Sequence, residues 1–160
     1  MIEQADPGIP GALNVLYVED YALGTMLLVD TFRLRAPDIH LEVVSTVAEA
    51  IERLKHFEND LAVPARGEAA RAPCYDAVLT DLNLPDGLGL DILAHVRNRN
   101  LMLAVVVLTG SIEEDTAIGA LHAGANGYVT KRGDYLAQLP SALRTAVERF
   151  RSEANGASDP

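Results

Sequence analysis

The chain has 160 residues, of which 49% are hydrophobic and 22% are charged, a composition typical of one globular domain large enough to bury a core. Its formal net charge of −10 argues against a nucleic-acid-binding surface, which needs clustered lysine and arginine. The single cysteine, Cys74, excludes an internal disulfide and favours the cytoplasm, and neither a secretory leader nor a membrane-spanning apolar run is predicted.

Short apolar runs alternate with helical patterns along the chain. Continuous runs of valine and leucine are typical of strands that are buried on both faces of a parallel sheet. The alternation predicts right-handed crossovers and a doubly wound α/β fold. The five predicted strands are 13–18, 41–44, 77–80, 103–108 and 127–130. Four predicted helices are about 22–35, 88–98, 112–122 and 134–150, and the second helix in chain order follows Thr46 and carries the apolar residues Val47, Ala50, Ile51 and Leu54.

Three of these helices carry more specific expectations. Thr46 is expected to cap the second helix, and Asp134 the last one. In the last helix, Pro140 either causes a kink or marks the first turn. The apolar residues of the first helix recur at helical spacing and are expected to face the core: Leu23, Met26, Leu27, Val29 and Phe32.

The domain boundaries are predicted from changes in composition. Residues 1–12 and 151–160 are expected to be flexible tails, because neither segment has a periodic apolar face. Residues 13–150 are expected to form one domain. Within it, residues 56–74 are rich in alanine, proline and charge, and they are predicted to be a loop inserted before the third strand.

Four of the predicted strands end in side chains suited to phosphoryl chemistry. Glu19 and Asp20 follow the first strand, Asp81 the third, Thr109 the fourth and Lys131 the fifth. A single carboxylate at the end of a strand is a turn former or helix cap about as often as it is part of a functional site. In a parallel sheet, however, these strand ends lie at one edge, where open α/β folds bind ligands. The sequence therefore predicts that all five side chains converge on one pocket.

As a set, these residues closely resemble the receiver domain of bacterial two-component response regulators. The resemblance covers about residues 13–150 and implies a flavodoxin-like fold, with a five-stranded parallel sheet in the order 2-1-3-4-5 and helices on both faces. It rests on Val18-Glu19-Asp20, on Asp81-x-Asn83-x-Pro85 with Gly89, on Leu108-Thr109-Gly110, and on Gly124-Ala125-x-Gly127-Tyr128-x-x-Lys131.

The resemblance implies a phosphoryl acceptor that uses Mg²⁺. Asp81 would take the phosphoryl group from a phosphohistidine on a histidine kinase or phosphotransfer protein, as carboxylate nucleophiles do in other enzymes. Asp20, Asp81 and the backbone carbonyl of Asn83 would bind the metal directly, and Glu19 would act through water. Oxygen ligands of this kind, with several waters retained, suit Mg²⁺.

The resemblance also implies a switch. Thr109, Gly110 and Lys131 would bind the phosphoryl oxygens, and Thr109 would move toward them while Tyr128 rotates inward. Taken alone, Tyr128 would be read as a half-buried strand residue. The face formed by the fourth helix, the fifth strand and the last helix would then control binding of an unidentified protein partner. The positions that tune phosphoryl lifetime in the family are Asn83 and Ser111.

Several alternatives stay open. Arg132 follows Lys131 where the family commonly has proline, so a cis peptide bond is not implied there. A receiver that works as a scaffold without phosphorylation has no need of the complete residue set. A haloacid-dehalogenase-type phosphatase would have a second aspartate two residues after the nucleophile, where this chain has Asn83. We expect a stand-alone signalling switch that is monomeric or weakly dimeric, although a receiver excised from a larger protein is the other possibility. It is not expected to be an enzyme, apart from catalysing its own phosphorylation and slow dephosphorylation.

Overall fold

The computed structural model describes residues 12–62, 75–110, 119 and 123–157. The strands are β1 (Leu13–Val18), β2 (Ile39–Val44), β3 (Ala77–Asp81), β4 (Asn83–Leu84), β5 (Gly87–Leu88), β6 (Ala104–Thr109) and β7 (Gly127–Thr130). The helices are α1 (Ala22–Arg35), α2 (Val47–Ala62), α3 (Gly89–Asn98) and α4 (Tyr135–Ala157). The predicted helix at 112–122 lies outside the described residues, except for Gly119. Cys74 and Ser111 also lie outside them.

The main sheet is parallel and has five strands in the order β2-β1-β3-β6-β7. Because β6 and β7 are the fourth and fifth strands of this sheet in chain order, the predicted order 2-1-3-4-5 is confirmed. β4 and β5 form a separate antiparallel hairpin, which the sequence did not predict. Val18 is level with Thr80 in the sheet, and Thr109 is level with Thr130, so the strands end together at one edge.

Two apolar clusters cover the two faces of the sheet. On one face, the α1 residue Phe32 and the α4 residue Leu143 belong to the same buried cluster as Tyr17 of β1. On the other face, Leu54 of α2 and Leu93 of α3 belong to a second cluster. The predicted doubly wound architecture, with helices on both faces, is therefore confirmed.

Helix α1 has the predicted bounds but buries a different face. Phe32 is buried as expected, and it is joined by Leu28. Leu23, Met26 and Leu27, which were expected in the core, are 53%, 62% and 50% exposed. That prediction was wrong because α1 is apolar on almost every side, so helical spacing alone fits more than one face.

Helix α2 continues further than predicted. Its cap is the expected one, since the backbone amide of Glu49 donates to the Thr46 hydroxyl at 3.1 Å. However, residues 56–62, which were assigned to the inserted loop, belong to the helix. Phe57 is buried one turn after Leu54 and explains the extension, because the apolar face continues through it. The rest of that predicted loop, 63–74, lies outside the described residues.

Helix α4 also exceeds its predicted bounds. It runs to Ala157, so residues 151–157 are helical and the tail boundary predicted at 150 was wrong. Arg151 is paired with Asp76 at 2.6 Å, which ties this last part of the helix to the start of β3. Pro140 lies inside the helix, in its second turn rather than its first. No helix in the described part of the chain is long and apolar enough to cross a membrane.

Candidate functional site

Three carboxylates meet at the ends of β1 and β3. Glu19 and Asp20 directly follow β1, and Asp81 is the last residue of β3. The backbone amide of Glu19 donates to the carbonyl of Val44 at 3.0 Å, which holds the chain after β1 against the end of β2. One carboxylate oxygen from each acid lies within 4.8 Å of the others. Glu19 is buried, Asp81 is half-buried and Asp20 is exposed, so the cluster opens to solvent on one side.

Lys131 enters this cluster from the end of β7. Its backbone amide donates to the carbonyl of Thr109 at 2.7 Å, so the sheet hydrogen bonding continues past the last strand. Its ammonium group donates to Glu19 Oε1 at 2.9 Å and lies 3.5 Å from Asp81 Oδ2. One cation thus faces two carboxylates, and the predicted convergence of Lys131 with the acids is confirmed.

The electrostatics of the cluster favour additional positive charge. The pKa of Glu19 is raised from its ordinary value to about 7, first by burial and then by the neighbouring carboxyl of Asp81, and Lys131 opposes these two effects only in part. Burial alone would lower the pKa of Lys131, but its hydrogen bond to Glu19 and the charge of Asp81 raise it. The lysine therefore stays protonated, and the pocket still carries more negative than positive charge.

The residues present fit a hard divalent cation. The Oε2 atom of Glu19 is buried and has no hydrogen-bond partner within the described ranges. A buried carboxylate oxygen without a partner is costly unless a ligand satisfies it. The available donors are carboxylate oxygens, which are the ligands that Mg²⁺ prefers. The open side of the cluster leaves room for the waters that this ion retains.

The remaining predicted site residues surround this cluster. Thr109 is buried at the end of β6, the strand that lies between those of Asp81 and Lys131. Gly110 follows it and is exposed. Tyr128 is half-buried in β7 and packs against the cluster formed by Leu82 and Val107. Asn83 is exposed on β4, whereas Ser111 lies outside the described residues.

The hairpin after Asp81 contains a residue that the sequence analysis missed. Asp86 lies at the turn between β4 and β5, and its carboxylate accepts hydrogen bonds from the backbone amides of Val47 and Ala48 at 2.8 and 3.0 Å. The sequence Pro85-Asp86-Gly87 is a turn signal. That signal could locate the turn but not its partner helix.

Comparisons with known proteins agree with this geometry. A family model described as response regulator receiver domain matches residues 15–144. Response regulator protein PilR of Pseudomonas aeruginosa is 41% identical over 93 residues, which cover 58% of this chain and 20% of that relative. The matched region makes up no more than 49% of the length of the first curated relatives.

Two solved structures share the fold and 26% sequence identity. The phosphorylated cyanobacterial phytochrome response regulator RcpA superposes with a TM-score of 0.61, covering 88% of this chain and 95% of that one. The Mn²⁺-bound form of response regulator Rcp1 superposes with a TM-score of 0.62, covering 87% and 94%.

Proposed function

The chain belongs to the response regulator receiver family, and from that premise we propose that Asp81 accepts a phosphoryl group from a phosphohistidine, with Mg²⁺ as the cofactor. The donor would be a histidine kinase or a phosphotransfer protein. The observation that carries the proposal is the convergence of Glu19, Asp20, Asp81 and Lys131 at one edge of the sheet.

In this proposal, Asp81 is the nucleophile. One of its carboxylate oxygens attacks phosphorus, a P–O bond forms as the P–N bond to the donor imidazole breaks, and the released nitrogen takes a proton from solvent. Asp81 is suited to the step because it is partly accessible at the mouth of the pocket. When bound, Mg²⁺ would neutralise charge on the phosphoryl group during its transfer. Asp20, Asp81 and the Asn83 carbonyl would hold the metal, and Glu19 would act through water.

Lys131 and Thr109 would bind the product. The Lys131 ammonium already lies 3.5 Å from Asp81 Oδ2 and would pair with a phosphoryl oxygen once the acid is modified. The Thr109 hydroxyl and the exposed backbone at Gly110 would take the other oxygens. The phosphoryl group carries a charge of about −1.5 to −2 and would replace the single negative charge of the Asp81 carboxylate. Lys131 would therefore face more negative charge after the modification than before it.

The output would be a shift between two conformations of one face. That face would comprise the predicted helix at 112–122, β7 and α4, with Tyr128 turning inward as Thr109 moves. Phosphorylation can change affinity for a protein partner only as far as it stabilises one conformation over the other. PilR is longer than this chain, since the matched region makes up only 20% of it, and the stand-alone action expected from the sequence stays a prediction.

The solved relatives support the chemistry. One was solved phosphorylated and the other with Mn²⁺ bound, both at 26% identity to this chain. Mn²⁺ binds to oxygen ligands in octahedral geometry, as Mg²⁺ does. The same type of modification and the same type of metal are therefore proposed for this chain.

The test is phosphorylation by acetyl phosphate or by purified histidine kinases in Mg²⁺, with intact mass as the measurement. The wild type should gain one phosphoryl group that is labile to base, and Asp81→Asn should gain none. Asp134→Asn is the matched control: Asp134 is exposed before α4 and lies outside the acidic cluster, so this variant should be modified like the wild type. The proposal would be contradicted if Asp81→Asn became phosphorylated, or if the wild type were not phosphorylated by any of these donors.

A further inference from the structure

The segment between Asp81 and α3 is a hairpin too short to hold its own shape. Asn83 pairs with Leu88 and Leu84 pairs with Gly87, so each strand has only two residues. An isolated two-stranded hairpin is marginal in water even when it is longer. Contacts outside the hairpin must therefore fix the backbone of Asn83.

The base of the hairpin is fixed beside the acceptor. The backbone amide of Gly89 donates to the carbonyl of Leu82 at 2.8 Å, which closes the loop. A Cβ atom at Gly89 would lie 2.3 Å from the carbonyl oxygen of Asp81, closer than real Cβ atoms come. The two ends of the loop are thus pressed together directly after Asp81.

The tip of the hairpin is fixed by Asp86. Its two carboxylate oxygens accept hydrogen bonds from Val47 and Ala48, the first two residues of α2. These amides have no partner within the helix, and the helix dipole favours a negative charge beside them. The two backbone hydrogen bonds also hold the pKa of Asp86 below its usual range. Thr46 accepts from the next amide, that of Glu49, at 3.1 Å.

The same helix start adjoins the other side of the acidic cluster. α2 begins three residues after Val44, the residue that accepts the hydrogen bond from the Glu19 amide. Asp86 therefore bonds the loop that carries Asn83 to the start of α2. Just before that helix, Val44 holds the backbone of Glu19, which is next to Asp20. The residue acts across 39 positions of sequence, between two loops that both adjoin the cluster.

We propose that Asp86 is a positioning residue for the metal site: by bonding to the start of α2, it fixes the Asn83 carbonyl relative to Asp20 and Asp81. The inference rests on the proposed function, since it assigns Asn83 to the metal. Asp86 does not touch the metal in this account; it holds the backbone that does. Removing it should leave the carboxylates in place but loosen the third protein ligand.

Loss of a residue that orients a metal ligand weakens metal affinity by roughly 10- to 100-fold. We expect Asp86→Ala to weaken binding by about tenfold, the low end of that range, because Asp86 acts through a segment of backbone. Asp86→Asn keeps one accepting oxygen and should lie between wild type and alanine. Thr46→Ala is the matched control, because it removes a cap from the same helix end without touching the hairpin.

The experiment is a titration with Mn²⁺ followed by water-proton relaxation, with Mg²⁺ as competitor, on the full chain and these three variants. Backbone amide exchange by NMR accompanies it. In Asp86→Ala the amides of Val47 and Ala48 should exchange faster and the metal should bind more weakly. In Thr46→Ala the Glu49 amide should exchange faster while metal affinity stays within about twofold of wild type.

Three results would overturn the inference. The first is a metal affinity that is unchanged in Asp86→Ala. The second is a loss of metal affinity in Thr46→Ala equal to that in Asp86→Ala. The third is an equal loss in Asp86→Asn, which would assign the effect to the charge of Asp86. Failure of the proposed function looks different. Wild type that binds metal but never becomes phosphorylated at Asp81 would refute the acceptor role and leave the positioning role standing, whereas wild type that binds no divalent cation would refute both.

Discussion

Glu19 offers a test of the pocket's electrostatics that does not depend on phosphorylation. It is buried, its Oε2 atom has no hydrogen-bond partner within the described residues, and it competes with Asp81 for one lysine. We expect Glu19→Gln to stabilise the metal-free protein at pH 8 and to have little effect at pH 5. Glutamine is nearly isosteric and can still accept from Lys131, so the substitution chiefly removes the charge.

The magnitude follows from the pKa of Glu19. In the folded protein that pKa is raised from 4.5 to about 7, with burial as the largest cause. A raised pKa means that folding favours the protonated form, so this contribution to stability is complete below pH 4.5 and is lost as the pH rises through 7. Since one pH unit of difference corresponds to about 1.4 kcal/mol, the wild type loses up to about 3 kcal/mol that the glutamine variant keeps.

The assay is urea unfolding in EDTA at several pH values between 5 and 8. The free energy of unfolding of Glu19→Gln minus that of wild type should rise by about 2–3 kcal/mol across this range. Saturating Mg²⁺ should reverse the order at pH 8, because metal bound to the native state stabilises the intact carboxylate site. A difference that stays constant from pH 5 to pH 8 would refute the reasoning, since a merely structural effect of glutamine does not titrate.

Three further substitutions test the packing around the site and in α1. Gly89→Ala places a Cβ atom 2.3 Å from the Asp81 carbonyl oxygen. We expect it to lower the free energy of unfolding in urea by about 1–3 kcal/mol and to reduce phosphorylation of Asp81. A variant that is as stable and as readily phosphorylated as wild type would contradict that contact. Leu28→Ala should cost about 2–5 kcal/mol because Leu28 is buried. Leu34→Ala, at 85% exposure on the same helix, should change stability by less than about 0.5 kcal/mol, and equal effects of the two would show that the buried face of α1 is wrongly assigned.

The sequence predicted the sheet and the main acidic cluster correctly because both depend on local signals. Fully apolar runs such as 104–108 are buried on both faces, and each parallel strand ends at the same edge. The residue after each run is therefore placed by topology alone. Glu19, Asp81 and Lys131 meet for this reason, although 112 positions of sequence separate the first from the last.

The sequence failed where several local choices were equally good. α1 has leucine, methionine or valine on almost every side, and spacing could not decide between burying Leu23 and burying Leu28. The end of α2 was placed too early because residues 56–74 as a whole are rich in alanine, proline and charge, although Phe57 continues the buried face of the helix. In both cases the decisive information is which side of the helix faces the sheet, and only the assembled fold supplies it.

Asp86 marks the limit of this way of predicting a site. Its neighbours Pro85 and Gly87 identify a turn, and nothing local distinguishes a turn aspartate that points into solvent from one that accepts two amides of a distant helix. Strand-end residues lie at the site because the sheet puts them there, whereas residues that hold a loop in place depend on which helix passes beside it. The groups that would perform the chemistry are thus predictable from sequence in this fold. Those that would position a backbone carbonyl, such as the one proposed for Asn83, have to be found in the structure.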